Sequence, residues 1–143
     1  MAAIQLAKHA GATVISTASS DEKLERLREL GLDHVINYAS QNFVERTREL
    51  TDGRGADVIL DSVGGQNLVD SISALAYRGT LVSVGVAARA GSNIEARDLW
   101  AKNNTLRGVF LGAEPVKLTL RSARRGPRAC ASRVGRSARR ARG

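Results

Sequence analysis

Apolar residues in this chain occur in short runs of adjacent positions, separated by longer segments with helical spacing. Val14 and Ile15 form the first run, and similar runs occur at 35–36, 58–60 and 81–82. Adjacent apolar residues are typical of strands buried on both faces, as in a parallel sheet covered by helices. The pattern predicts strands at 12–17, 33–38, 56–62, 80–85 and 106–111.

Between these runs, apolar residues recur every three or four positions, as Leu24, Leu27 and Leu30 do. This spacing is typical of amphipathic helices. Ser19 with Glu22 predicts a capping box at the start of one helix, and Ser40 is expected to cap the next. Helices are predicted at 2–10, 20–30, 40–50, 66–77 and 97–102. Strands and helices therefore alternate, which favours right-handed βαβ units and a parallel sheet.

Polar residues and glycines collect where the predicted strands end, and open α/β sheets bind ligands at that edge. After the first strand come Thr17-Ala18-Ser19-Ser20, with Lys23 one turn into the helix. A carboxylate at this corner would repel a 2′-phosphate, whereas hydroxyls and an ammonium group attract one. The corner is therefore either an NADP-type pocket or an ordinary capped surface helix with a solvated lysine. Taken alone, the stretch favours the second interpretation.

Charge divides the chain of 143 residues into two parts, 1–114 and 115–143. All 14 acidic side chains lie in the first part, whereas the second holds ten of the 22 basic ones and consists largely of Arg, Ala, Ser and Gly. The second part has no apolar periodicity, which predicts disorder. It is interpreted either as an arm that binds nucleic acid or other polyanions, or as a non-native C-terminus produced by a shifted reading frame. The abrupt break in the βα pattern favours the shifted frame.

Other classes of site are disfavoured by composition. Cys130 is the single cysteine, and His9 and His34 are isolated, so neither a disulfide nor a metal site is expected. No apolar run is long enough to span a membrane, and no signal sequence precedes the body. A cytoplasmic location without membrane contact is the expectation.

Several stretches, read together and in order, carry a family resemblance. They are Ala3-Ile4-Gln5-Leu6-Ala7-Lys8, Ser19-Ser20-Asp21-Glu22-Lys23, Val35-Ile36-Asn37-Tyr38, Asp61-Ser62-Val63-Gly64-Gly65, Leu81-Val82-Ser83-Val84-Gly85 and Leu106-Arg107-Gly108-Val109-Phe110-Leu111-Gly112. They resemble the cofactor domain of medium-chain, zinc-type alcohol dehydrogenases, above all the quinone oxidoreductase branch. The resemblance covers residues 2–114 nearly continuously.

The resemblance implies a Rossmann-type parallel sheet with helices on both faces, NADP as cofactor, and hydride transfer between NADPH and a carbonyl, quinone or enone. Family positions for the 2′-phosphate and adenosine ribose match Ser19, Lys23 and Tyr38. Positions that line the rest of the cofactor match Ser62, Val63, Gly64, Gly85, Val86, Phe110 and Leu111. Gly64, Gly65 and Gly85 are expected to let backbone approach the ligand. The strand at 106–111 implies a homodimer by analogy.

The family also has features that this sequence does not show. Its first, central strand and the glycine-rich turn for the pyrophosphate precede the helix at 2–10. Without that strand, those at 12–17 and 57–62 are expected to lack a shared neighbour. The family's catalytic domain is not found either, so no residue is assigned a catalytic role. Residues 1–114 are thus expected to be a partial NADP-binding domain with weak cofactor affinity and no activity alone. The remaining alternative is a gene product without function.

Overall fold

The fold is described by a computed structural model, which covers residues 2–110 of the chain. The helices are α1 (Ala2–His9), α2 (Asp21–Arg28), α3 (Phe43–Glu49), α4 (Gln66–Ala74) and α5 (Ala96–Trp100). The strands are β1 (Ile15–Ala18), β2 (His34–Asn37), β3 (Ala56–Asp61), β4 (Leu75–Ser83) and β5 (Thr105–Gly108). Each predicted helix and strand is confirmed, in the predicted order, although the ends differ by up to five residues.

The five strands form two separate parallel sheets. One has two strands in the order β1-β2, and the other has three in the order β3-β4-β5. No strand in residues 2–110 joins β1 to β3, so each of these strands has one unpaired edge within the described part of the chain. This confirms the parallel α/β architecture and the expected gap between the strands at 12–17 and 57–62.

The larger share of the buried core belongs to the three-stranded sheet. Ile72, Leu75 and Leu81 are buried together, and partly buried side chains pack around them. These surrounding residues are Ile59, Leu68, Ile94, Leu99 and Leu106. On the two-stranded sheet, Leu24 of α2 and Ile36 of β2 are the buried apolar side chains.

Strands buried on both faces were expected, and for β3 this expectation is wrong. Val58 and Leu60 are 68% and 53% exposed, and Val14 and Ile15 are half-buried. The side chains alternate across the strand, and no described element covers the face that carries Val58 and Leu60. The sequence pattern thus indicates apolar side chains on both faces of β3, whereas the described part of the chain buries only one of those faces.

The predicted helix caps are also corrected. Ser20, not Ser19, occupies the N-cap of α2, and its side chain makes no capping bond, so the Ser19–Glu22 capping box does not form. For α3 the cap is Asn42, whose Oδ1 accepts hydrogen bonds from the N–H groups of Val44 and Glu45 at 3.0 and 3.3 Å. Ser40 lies in the preceding turn, bonded to Asn37.

Helix α4 ends three residues before the predicted position, and β4 follows it directly. Ala56 pairs with Leu75 and Val58 pairs with Thr80, so residues 76–79 bulge out of the ladder. Arg78 in this bulge has a positive φ of 61°. The chain between the helix predicted at 66–77 and the strand predicted at 80–85 is therefore an interruption of β4 rather than a loop before it.

Residues 2–109 belong to one unit, and a second unit begins at Phe110. Leu111, the end of the predicted strand at 106–111 and the basic segment 115–143 lie outside the described residues. Within the described part, no helix has the length and apolar character that crossing a bilayer requires.

Candidate functional site

The carboxyl ends of β1 and β2 bring three predicted cofactor residues to one corner. Ala18 and Asn37 are paired at the ends of the two strands, and the N–H of Tyr38 donates to the carbonyl of Ala18 at 3.1 Å. Ser19 follows Ala18 directly, and its Oγ lies 3.5 Å from the Nζ of Lys23. The corner thus presents one hydroxyl, one ammonium group and one exposed aromatic ring.

The acidic side chains near this corner are engaged by other groups. The carboxylate of Asp21 accepts a bond from the Nδ2 of Asn37 at 2.8 Å, and Glu22 forms an ion pair with Arg26 at 2.7 Å. Among the residues that the structure describes, Lys23 has no acidic partner within 4 Å. The ammonium of Lys23 and the hydroxyl of Ser19 therefore lie close together without a carboxylate partner for the lysine in these residues, and a phosphate group can accept hydrogen bonds from such a donor set.

A second corner forms where β3 and β4 end. Beyond the paired residues Asp61 and Ser83, the two loops continue to exchange backbone hydrogen bonds. The N–H groups of residues 84, 87 and 88 donate to the carbonyls of residues 61, 62 and 63 at 2.8, 3.3 and 2.8 Å. The loop at 62–65 is thus tied to the loop at 84–90 along most of its length.

The glycines of this second corner serve the contact between those loops. A Cβ on Gly85 would lie 2.9 Å from the carbonyl oxygen of Ser62. Gly64 has a φ of 73°, and a Cβ there would lie 3.3 Å from the Cα of Val86. These glycines therefore permit a close approach of one loop to the other.

Asp61 supports the loop of the second corner, a structural role that the sequence analysis did not predict. It is 2% exposed, and its carboxylate accepts hydrogen bonds from the N–H groups of Val63 and Gly64 at 2.9 and 3.1 Å and from the Nδ2 of Asn67 at 2.8 Å. The charge also lies before the N-terminus of α4, where a negative charge is favoured. An aspartate that ends a strand just before two glycines was the signal available in the sequence.

The predicted site residues thus fall into two clusters on different sheets. Ser19, Lys23 and Tyr38 lie at the carboxyl end of the two-stranded sheet, with Lys23 in α2. The second cluster, at the ends of β3 and β4, comprises Ser62, Val63, Gly64, Gly85 and Val86. Phe110 is exposed and belongs to the second unit. Leu111 lies outside the described residues.

Comparison with known proteins decides the family. The family pattern described as "Zinc-binding dehydrogenase" matches residues 1–124. The chain belongs to the zinc-binding dehydrogenase family. Its relatives are NAD(P)-dependent oxidoreductases of the quinone oxidoreductase and alcohol dehydrogenase type.

Individual relatives agree with that assignment. The chain is 48% identical over 81 residues to a 2-haloacrylate reductase of Burkholderia sp, covering 57% of this chain and 24% of that enzyme. It is 34% identical over 113 residues to the quinone oxidoreductase-like protein 2 homolog of Nematostella vectensis, covering 79% of this chain and 31% of that protein. A solved mycobacterial protein complexed with NADPH superposes with a TM-score of 0.68 at 34% identity, over 74% of this chain and 34% of the other.

The chain spans about a quarter to a third of the length of these relatives. The zinc in the family description finds no ligand set in residues 2–110, where no three His, Cys, Asp or Glu side chains cluster closely enough to hold a metal. The donor groups of the first corner, by contrast, suit the phosphate of a dinucleotide.

Proposed function

We propose that this chain contributes the adenosine-binding part of the cofactor site in an NADP-dependent oxidoreductase. The observation that carries this proposal is the pairing of Lys23 with Ser19 at the carboxyl end of β1, with the nearby acids Asp21 and Glu22 bonded elsewhere. An ammonium group and a hydroxyl discriminate in favour of a 2′-phosphate, because each donates a charge-assisted hydrogen bond to it. Tyr38, exposed beside them, is assigned to the adenosine ribose.

The reaction of the whole enzyme is hydride transfer between NADPH and a carbonyl, quinone or enone. The names of its relatives, a 2-haloacrylate reductase and quinone oxidoreductases, support this substrate class. The nicotinamide supplies the hydride when it is bound. The residues of this chain bind and orient the cofactor. The loop at 62–64 is assigned to lining the cofactor, and the nicotinamide side is assigned to Gly85, Val86, Phe110 and Leu111. None of them is assigned a proton-transfer role.

The chain by itself is proposed to bind the cofactor weakly and to be catalytically inactive. The unpaired edges of β1 and β3 in the described residues support this, because the two cofactor clusters then lie on sheets without a shared strand. In the family, the glycine-rich turn holds the pyrophosphate by several charge-assisted bonds of about 1.5–3 kcal/mol each, and residues 2–110 do not include that turn. Micromolar affinity amounts to about 8 kcal/mol in total, so a site without those bonds loses most of the binding free energy.

The direct test of the phosphate site uses adenosine 2′,5′-bisphosphate and AMP, since neither contains the pyrophosphate. Calorimetric titration is expected to show tighter binding of the bisphosphate, by about tenfold for one charge-assisted bond. Lys23→Met removes this preference. Arg26→Met, an equal charge change on the same helix at a residue paired with Glu22, leaves it in place. Equal affinities for the two nucleotides in the unmodified chain would refute the proposed specificity.

The proposed inactivity is tested by oxidation of NADPH with quinone and enal substrates. The rate with the purified chain is expected to equal the rate without protein. A rate above this background that scales with protein concentration would contradict the proposal, and would show that the described residues assemble a working site despite their separate sheets.

Two further assignments rest on sequence and on one structural feature. A homodimer through the strand predicted at 106–111 is supported by β5, which pairs with β4 alone among the described residues. Light scattering would show a single-chain mass if this is wrong.

Binding of polyanions by residues 115–143 is supported by their ten basic side chains. A salt titration with DNA tests it, because such binding weakens steeply with ionic strength.

A further inference from the structure

An open groove of about 480 Å³ lies between α4 and α5, on the side of α4 where the helix ends. Its apolar floor is formed by Val69, Ile72 and Ala101, and its basic residues are Arg48, Arg97 and Lys102. Because α4 ends at Ala74 and β4 begins at Leu75, the groove lies at the amino end of β4. It is therefore separate from both cofactor clusters, which lie at carboxyl ends of strands.

Two of the cations converge on a single oxygen atom. The Nζ of Lys102 donates to the carbonyl oxygen of Ser73 at 2.9 Å, and the Nη2 of Arg48 donates to the same oxygen at 3.0 Å. The two nitrogens are consequently no more than about 6 Å apart. Lys102 also donates to the carbonyl of Leu75 at 2.7 Å. Each cation keeps at least one N–H free of these bonds.

The positive charge at this point is not balanced within the described residues. Neither Arg48 nor Lys102 has a carboxylate within 4 Å there. Asp98, the acid that lines the groove, accepts a bond from the backbone N–H of Glu95 at 2.9 Å. Arg97 is paired with Glu95 at 2.8 Å. Burial and the charge of Arg48 lower the pKa of Lys102, as expected for two neighbouring cations without an anion.

We propose that this groove binds a small organic anion with an oxyanion head and a short apolar body. The head bridges Arg48 and Lys102, because the oxygens of a carboxylate or phosphate can accept from both nitrogens at once. The apolar body lies on Val69 and Ala101, beside the buried Ile72. A medium-chain monocarboxylate has this chemistry. The competing explanation is that the two cations serve the carbonyl end of α4 alone, since cations are favoured at helix C-termini.

The chain contains a reporter for this groove. Trp100 is its single tryptophan, is 73% exposed and directly precedes Ala101 of the groove floor. Titration with octanoate, followed by tryptophan fluorescence, is expected to saturate with a dissociation constant on the order of 1 mM. Inorganic phosphate tests the head without the body, and octan-1-ol tests the body without the charge. Both are expected to bind at least about fivefold more weakly than octanoate, because each lacks one of the two interactions.

Matched variants separate the groove from the ten basic side chains of residues 115–143. Lys102→Gln and Arg48→Gln are each expected to weaken octanoate binding about tenfold, as the loss of one charge-assisted bond implies. Arg54→Gln, an equal charge change at an exposed residue outside the groove, is expected to leave it unchanged.

Three results would overturn the proposal, whatever the outcome of the nucleotide titrations. The first is no saturable response to octanoate up to about ten times the expected dissociation constant. The second is equal binding of octanoate and octan-1-ol, or of octanoate and phosphate. The third is unchanged affinity in Lys102→Gln. Circular dichroism of Lys102→Gln checks that any loss is not a loss of fold, and Arg48→Gln provides the second, independent variant.

Discussion

The two-stranded sheet β1–β2 and the three-stranded sheet β3–β4–β5 each carry a cluster of proposed cofactor residues at their carboxyl ends, and the surroundings of the two clusters differ. The first cluster consists of exposed side chains, and the sheet beneath it has Leu24 and Ile36 as buried apolar residues. The second cluster is mostly backbone, tied to a neighbouring loop and braced by the buried carboxylate of Asp61.

If Ser19 and Lys23 bind the phosphate as proposed, phosphate specificity and fold stability are separated in this chain. The proposed phosphate-binding groups are exposed to solvent and lie at the end of the sheet with the smaller core. A two-stranded sheet is marginally stable unless other elements cover it. The three-stranded sheet, with α4 and α5 on its core, is therefore expected to stabilise the whole unit.

The largest change in stability is expected for Leu81→Ala, which tests whether the two-stranded sheet depends on the three-stranded one. Leu81 is fully buried in the central strand, and truncating it is expected to lower the free energy of unfolding by about 2–5 kcal/mol. In hydrogen exchange, both sheets should lose protection, whereas Ile36→Ala should expose β1 and β2 alone. Leu60→Ala, at a residue 53% exposed, is the control, with an expected change within about 1 kcal/mol. Protection of β1 and β2 that survives Leu81→Ala would contradict the dependence of one sheet on the other.

The second test removes the carboxylate of Asp61, which accepts hydrogen bonds from the loop at 62–65. Asp61→Ala leaves the N–H groups of Val63 and Gly64 without their acceptor, and is expected to cost about 2–3 kcal/mol in urea unfolding. Asp57→Ala, an equal change at an exposed carboxylate of the same strand, should cost far less. Similar losses in the two variants would mean that the carboxylate of Asp61 does not support the loop.

Contact between the loops is probed by Gly85→Ala. The added methyl would lie 2.9 Å from the carbonyl oxygen of Ser62, so the loops must separate, at a cost of about 1–2 kcal/mol. Gly108→Ala is matched to it, because a Cβ there meets nothing within 4 Å. Thermal unfolding should therefore distinguish the two variants, and equal midpoints would show that the loops are not packed as described.

The smallest effect on stability is expected at Asp33, which lies at the amino end of the two-stranded sheet. A hydrogen bond from Lys8 at 2.8 Å, together with one from the N–H of Val14 at 2.7 Å, lowers the pKa of Asp33 below its ordinary 3.8. The ionised form therefore contributes stability that is fully present above 3.8 and is lost as the pH falls through the folded-state pKa.

Asp33→Asn provides the measurement. Its stability deficit relative to the unmodified chain should be largest at neutral pH and should shrink as the pH falls below 3.8. Glu29→Gln, at an exposed residue of the neighbouring turn, is the control. A deficit in Asp33→Asn that does not change with pH would show that the charge of Asp33 plays no part.

The sequence by itself determined the order and type of the elements, because each follows from local patterns: adjacent apolar residues for strands, helical spacing for helices. It also determined the family, since the matching stretches occur in order along nearly all of residues 2–114. Of the candidate site, it predicted which residues follow the strand ends, including Ser19, Lys23 and Ser62.

Tertiary structure alone decided which elements pair and what each polar group contacts. Asn42 rather than Ser40 caps α3, because the turn at 37–41 uses Ser40, and this depends on geometry that the residue types do not encode. Likewise, the exposure of Val58 and Leu60 depends on which element covers β3, and the buried acceptor role of Asp61 depends on how its loop folds back. Local propensities set the elements, whereas burial depends on contacts between residues far apart in the chain. The hydrogen bonds of Asn42 and Asp61 depend on the conformation that the adjacent turn or loop adopts.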